Sequence, residues 1–243
     1  MKPILEVKKV SKLFGGLPAV NNVSFDLAEN EILGLIGPNG AGKTTLFNLI
    51  SGYHEISKGD ILYRGHKISG FLPEQVCSQG IVRTFQVVKP FGEMTVEENV
   101  MVGAFCRTAD PNRARVKAQE TINFVGLDKY AAMQARNLTI ADRKRLEFAR
   151  ALATEPKILM LDEVMAGLRP NEVDDSLELI RKVRASGITI IIVEHIMRAI
   201  MTICERILVL DHGELIAEGT PQEVTSNKKV IEAYLGKEES ADV

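Results

Sequence analysis

Residues 31–52 read EILGLIGPNGAGKTTLFNLISG, and the architecture follows from this stretch. Its first seven residues are almost all apolar, as in a central strand covered on both faces. Residues 43–52 have helical character and stop at Gly52, which suits the left-handed position just past a helix end. Between them, GPNGAGKT at 37–44 fits G-x-x-x-x-G-K-[ST]. Gly37, Gly40 and Gly42 let the backbone curl so that successive N–H groups face one anion, and the helix N-terminus adds its positive end. Lys43 is placed to bridge the β- and γ-phosphates of a nucleotide, and the Thr44 hydroxyl to bind Mg2+. A glycine-rich turn can match this pattern by chance, but a strand before it and a helix after it are the context that the motif requires.

Two further apolar runs end in candidate site residues. KILMLDEV at 157–164 places Asp162 and Glu163 at a strand's C-terminal end, the edge of a parallel sheet where ligands sit. Asp162 can hold Mg2+ through water, and Glu163 can orient or deprotonate an attacking water. ITIIIVEH at 188–195 repeats the device with Glu194 and His195. His195 can donate to a γ-phosphate or fix the water. Alone, an acidic strand end is often a solvated turn, and a lone histidine is more often structural. Downstream of a phosphate loop, the two together define a site.

The rest of the chain frames these elements. Residues 4–10 and 22–27 alternate apolar and polar side chains, as half-buried strands do, and 59–68 reads as a hairpin turning at Arg64 and Gly65. Residues 95–135 carry helical patterns, with Thr95 and Glu98 at capping-box spacing. From 158 onward, buried strands and helices alternate, the pattern of βαβ units and a parallel sheet. The expected organisation is an α/β core from residues 1–87 and 155–235, a mostly helical lobe at 88–154, and a frayed polar tail at 236–243.

Composition excludes several classes. The 243 residues carry a net charge of −2, with no basic tract interleaved with aromatics, so nucleic acid is not an expected partner. The longest apolar runs fall far short of the about 20 residues that a membrane-spanning helix needs. Charges interrupt the N-terminus every few residues, so it holds no signal-peptide core. Cys77, Cys106 and Cys204 have no metal-type spacing and read as incidental thiols of a reducing compartment.

These elements, in this order, resemble the ATP-binding-cassette (ABC) ATPases over nearly the whole chain. The resemblance implies a P-loop NTPase core, with a parallel RecA-like sheet, an N-terminal antiparallel β subdomain and an inserted helical subdomain. ATP and Mg2+ are the implied cofactors, held by Gly37, Pro38, Asn39, Gly40, Ala41, Gly42, Lys43, Thr44 and Thr45. Phe14 in KLFGG matches the aromatic that stacks on adenine. Gln86 in RTFQ matches the glutamine that reaches the metal and the water. Thr139, Ile140, Ala141 and Asp142 match the signature turn that serves a partner's nucleotide, residues 166–169 match the loop after the acidic pair, and His195 matches the switch histidine. GIVRTFQ, MTVEENVMVG and the ending VIEAYLG are similar to the Liv-type branch. That branch powers uptake of branched-chain amino acids, and the lipopolysaccharide-export ATPase is a near relative. Implied partners are a second cassette, membrane permease subunits and a substrate-binding protein. The implied location is peripheral, on the cytoplasmic face of the inner membrane.

The chain also departs from the family pattern. L-S-G-G-Q is replaced by Leu138-Thr139-Ile140-Ala141-Asp142. A methyl group at Ala141 opposes both φ > 0 and close backbone approach to a phosphate. Val164 stands where proline is common, and Arg169 puts a long cation where a short acceptor is typical. Two accounts stay open: neutral drift, or an asymmetric heterodimer in which this chain's own phosphate loop is competent and its signature turn is weak. The rivals are an ATP-gated cassette that barely hydrolyses, disfavoured by Glu163 and His195, and a soluble ABC ATPase acting on ribosomes or DNA, disfavoured by the single cassette. A GTPase is disfavoured because NKKV at 227–230 lacks the aspartate of N-K-x-D.

Overall fold

The computed structural model describes residues 3–85 and 89–235. It comprises two compact units, one of Met1–Pro73 with Ile191–Val243 and one of Glu74–Ile190. Gln86 and the 236–243 tail lie outside the described residues.

The first unit begins with a long hairpin, β1 (Leu5–Phe14) and β2 (Leu17–Leu27), paired antiparallel from Leu5↔Leu27 to Phe14↔Leu17. Both strands run well beyond the alternating stretches at 4–10 and 22–27. Register shifts between Val7 and Val10 and between Val10 and Lys12 move the inward-facing set, so the period of two is lost while the pairing continues. β3 (Ile32–Ile36) is buried at every position and leads through the glycine-rich loop into α1 (Lys43–Ile50). β4 (Lys58–Tyr63) pairs with β1 and turns at Arg64 (φ 49°) and Gly65 (φ 79°) into β5 (His66–Lys67). Two successive positive φ angles are those of the hairpin turn expected there. The resulting antiparallel sheet runs β2-β1-β4-β5.

The second unit opens with α2 (Pro73–Gln79), whose first residue belongs to the first unit, and β6 (Ile81–Arg83). α3 (Val96–Ala104) starts at the capping box read from sequence: Thr95 accepts from the Glu98 N–H while Glu98 accepts from the Thr95 N–H. α4 (Pro111–Val125) and α5 (Ile140–Ala153) pack with α3. They bury Val96 and Val100 of α3, Ala118 and Ile122 of α4, and Leu146 and Phe148 of α5. Each large apolar side chain buried this way contributes about 1.5–3 kcal/mol. β7 (Ile158–Asp162) then pairs with β6 in parallel, Ile81↔Ile158 to Arg83↔Met160. α6 (Pro170–Ala185) and β8 (Thr189–Val193) follow, the latter carrying the chain back into the first unit.

There, α7 (Met197–Ile203) precedes β9 (Arg206–Asp211), which pairs in parallel with β3 from Leu33↔Arg206 to Ile36↔Val209. The alternation read from 158 onward breaks after it. His212 (φ 45°) and Gly213 (φ 81°) turn the chain into β10 (Glu214–Gly219), antiparallel to β9. α8 (Pro221–Ser226) and α9 (Lys228–Leu235) close the described chain. No helix among the described residues is long and apolar enough to cross a membrane.

Candidate functional site

In the first unit, the loop between β3 and α1 is shaped by its glycines. A Cβ on Gly37 (φ 150°) would lie 2.1 Å from the Leu210 carbonyl oxygen, and one on Gly42 (φ 102°) 2.4 Å from that of Ala19. Only glycine lets three backbone segments meet here. The Gly213 N–H donates to the Ala41 carbonyl at 3.0 Å, and the Asn21 N–H to the Gly213 carbonyl at 2.8 Å. Strand β2 and the β9–β10 turn therefore buttress the loop from outside it. Lys43 is buried, its ammonium donating to the Gly37 carbonyl at 2.7 Å and the Pro38 carbonyl at 2.9 Å. This folds a cation into the mouth of a helix N-terminus, a charge arrangement that suits a polyphosphate. Asn39, Gly40 and Thr44 are exposed, Pro38 and Thr45 half-buried, and Ala41 packed inside.

Three more groups belong to this unit. The Phe14 ring is 45% exposed, with the Lys12 ammonium 5.1 Å from its centroid and His54 meeting it edge-on at 5.4 Å. An anchored yet exposed aromatic of this kind suits base stacking. His195 stands exposed just beyond β8, after the buried Glu194. Tyr234 of α9, not singled out from sequence, accepts a hydrogen bond from the Gly37 N–H, and its burial raises the phenol above its ordinary range.

In the second unit, Asp162 ends β7 and is 3% exposed. Its Oδ2 accepts from the Arg83 guanidinium at 2.6 Å. Glu163 follows with φ 50°, a left-handed backbone that costs a non-glycine residue about 1–3 kcal/mol and gathers at functional positions. Its carbonyl accepts from the Ala166 N–H at 3.2 Å and from the buried Lys144 ammonium at 3.3 Å. Val164 and Met165 are buried and anchor the turn from below.

Thr139 caps α5, accepting from the Asp142 N–H at 3.2 Å and donating to the Asp142 carboxylate at 2.7 Å. Ala141 therefore sits in the first helical turn, where the backbone is right-handed and a methyl group meets no strain. Of the two objections to an alanine here, the demand for φ > 0 is absent. Ile140 projects outward, 65% exposed. Arg169 precedes α6 and turns its guanidinium onto Glu172 of its own chain at 2.9 Å, so the cation is locally paired.

A groove of about 630 Å³ also lies in this unit, lined by Val82, Arg83, Phe85, Val102, Glu147 and Arg150 among others. The Glu147 carboxylate accepts from the Phe85 N–H at 2.5 Å, and burial raises its carboxyl above the ordinary range. Arg83, Lys144, Glu147 and Tyr234 are the residues that sequence reasoning missed. Each acts through a contact between residues far apart in sequence, 19 positions for Lys144 with Glu163 and 79 for Arg83 with Asp162, and no local spacing announces such pairs.

A glycine-built anion loop, a strand ending in a buried aspartate and a strained glutamate, and a capped signature helix are the marks of a nucleotide-hydrolysing cassette. The chain belongs to the ABC transporter ATP-binding family, whose model matches residues 20–166, and residues 214–240 match the branched-chain amino acid ATP-binding cassette transporter model. It is 44% identical to the high-affinity branched-chain amino acid transport ATP-binding protein LivG of Salmonella typhimurium, over 97% of this chain and 99% of that one. It is 40% identical to BraF of Pseudomonas aeruginosa, with the same name and the same coverage. A crystal structure of an ATP-binding cassette of an ABC transporter in its ADP conformation superposes with a TM-score of 0.89 at 31% identity, covering 98% of this chain and all of that one. The chain is thus an α/β P-loop cassette of a family of ATPases that drive transport.

Proposed function

We propose that this chain hydrolyses ATP to drive import of branched-chain amino acids or similar small substrates through separate permease subunits, on the cytoplasmic face of the cell membrane. The observation that carries the nucleotide part is the loop of residues 37–45, with Lys43 folded into a glycine-built cradle at the start of α1. The substrate part is supported by the match at 214–240 and by what the LivG and BraF relatives are named for.

In this reading Phe14 stacks on adenine, while Lys43 leaves the loop carbonyls for the phosphates. Glu163 orients and deprotonates the attacking water, with His195 and Gln86 completing the set around the γ-phosphate. Thr44, Gln86 and Asp162 would hold Mg2+ through hard oxygen donors, the chemistry that this ion selects, Asp162 acting through water. When bound, Mg2+ neutralises charge developing on the phosphates. The groove at Val82, Phe85 and Val102 takes a cytoplasmic segment of the permease, and a substrate-binding protein delivers cargo outside. A second cassette contributes its signature turn to this nucleotide, and residues 139–142 serve the partner's. Ile140, Ala141 and Arg169 favour a partner that is not a second copy of this chain, with the weaker turn facing the partner's loop.

Reconstitution of the chain with a second cassette and branched-chain amino acid permease subunits tests the reading. Leucine-loaded binding protein is expected to raise ATP turnover in proteoliposomes severalfold. Stimulation by an unrelated cargo, with none by branched-chain amino acids, would reject the substrate class. Equal loss of turnover from Glu163→Gln here and from the matching change in the second cassette would reject the asymmetry.

A further inference from the structure

We propose that Arg83 is a positioning residue for Asp162, and that it links the metal-holding carboxylate to the groove beside it. The inference rests on the reading of Asp162 as a Mg2+ residue. Arg83 ends β6 in register with Met160 of β7, and its guanidinium reaches past that rung to Asp162 Oδ2 at 2.6 Å. The two side chains are 6% and 5% exposed. A guanidinium this deep requires an anion, and a carboxylate with one oxygen held by a buried, planar guanidinium N–H cannot swing as a solvated one does.

Contacts continue outward from Arg83. Its guanidinium carbon lies 5.4 Å from the centroid of the Phe85 ring, and the Phe85 N–H is held by the Glu147 carboxylate. Arg83, Phe85 and Glu147 all line the same groove. An unbroken path therefore runs from the groove through Phe85 and Arg83 to Asp162. Pressure on Phe85 reaches the aspartate through one planar group, and a displacement of about 1 Å at a metal-holding carboxylate is enough to change rate about a hundredfold.

The experiment uses the full chain carrying Glu163→Gln, with Mn2+ as a paramagnetic probe. Mn2+ affinity in the presence of ATP is read by electron paramagnetic resonance, and ATP affinity in EDTA is read separately. Arg83→Gln is expected to weaken Mn2+ binding about tenfold or more while metal-free ATP binding stays within about twofold. Arg83→Lys, which keeps the charge but loses the fork, is expected to weaken it about threefold, and Phe85→Ala by a similar factor. If Arg83→Gln does not fold, the lysine variant decides. Folded Arg83 variants that bind Mn2+ like the parent would overturn the proposal, and an unchanged Phe85→Ala would overturn the link to the groove. Asp162→Ala with unchanged Mn2+ affinity would instead reject the underlying reading of Asp162.

Discussion

Lys144, on α5, donates its ammonium to the carbonyl oxygen of Glu163 at 3.3 Å. Glu163 holds a left-handed backbone, so this contact helps keep a strained residue in place. Glu163→Gln is expected to lower the ATP turnover number at least about a hundredfold with ATP binding retained, the range for loss of a general base. Lys144→Met is expected to lower it about tenfold, by releasing the carbonyl rather than removing the base. Steady-state hydrolysis and a nucleotide binding isotherm separate the two, and a fully active Lys144→Met would refute the positioning role.

The phosphate loop predicts a second pair of outcomes. Gly37→Ala places a methyl group against the Leu210 carbonyl and is expected to destabilise the chain by about 2 kcal/mol or more. Lys43→Ala is expected to weaken ATP binding at least about tenfold, through loss of a charge-assisted phosphate contact. Thermal melts and fluorescent nucleotide titrations check these. A Gly37→Ala variant with unaltered melting would show that the loop yields more easily than its packing implies.

Tyr234 makes the C-terminal helix part of the nucleotide loop, because its hydroxyl accepts from the Gly37 N–H. Tyr234→Phe keeps the ring and removes the acceptor, and because this side chain is 44% exposed the Gly37 N–H turns to water instead. A rise of about three- to tenfold in KM for ATP, with kcat within about twofold, is the expected split. An unchanged KM would assign Tyr234 to packing alone.

Glu147 sets a pH dependence. Burial holds its carboxyl above the ordinary 4.5, so the folded chain binds this proton more tightly than the unfolded chain does. The associated stability is fully present below the ordinary value and is lost as pH rises through the raised one. Glu147→Gln, which keeps an uncharged acceptor for Phe85, is expected to melt above the parent at about pH 7.5 and to converge with it near about pH 4.5. A gap independent of pH would sink this assignment.

The cysteines differ in accessibility. Burial, aided by Glu205 and Glu31, pushes the Cys204 thiol up to about 12. Burial and the neighbouring Cys106 thiol raise Cys77, whereas Cys106 is exposed. Mass spectrometry after alkylation is expected to find Cys106 modified first, Cys77 later and Cys204 only after unfolding. Early labelling of Cys204 would contradict its burial.

Much of this molecule was legible because its chemistry is local. Residues 37–44 carry their own turn geometry, and Thr95 with Glu98, and Thr139 with Asp142, announce helix starts within four residues. The N-terminal hairpin was legible only at its ends, because bulges near Lys9 and Asn22 erase the alternation between them. The β9–β10 turn lies in DHGE at 211–214, and strand–helix alternation as a pattern does not anticipate an antiparallel return there. Arg83 is the first residue of RTFQ and gives no local sign of its role, since a partner 79 positions away leaves no trace in spacing. Ala141 stands where the family pattern has glycine, yet its conformation is set by the cap at Thr139, two residues earlier.

The support that Gly213 gives to Ala41 has a consequence for biosynthesis. The loop between β3 and α1 is made before Glu74–Ile190, but the turn that props it and the tyrosine that meets Gly37 are made after that segment. The unit holding the loop is discontinuous, so it cannot close until the intervening 117 residues of Glu74–Ile190 have been made. Long-range closure of this kind comes late in folding. A nascent chain halted before β10 would carry the whole glycine-rich motif without the scaffold that shapes it, so the form of the loop is conferred by segments made only after all of Glu74–Ile190.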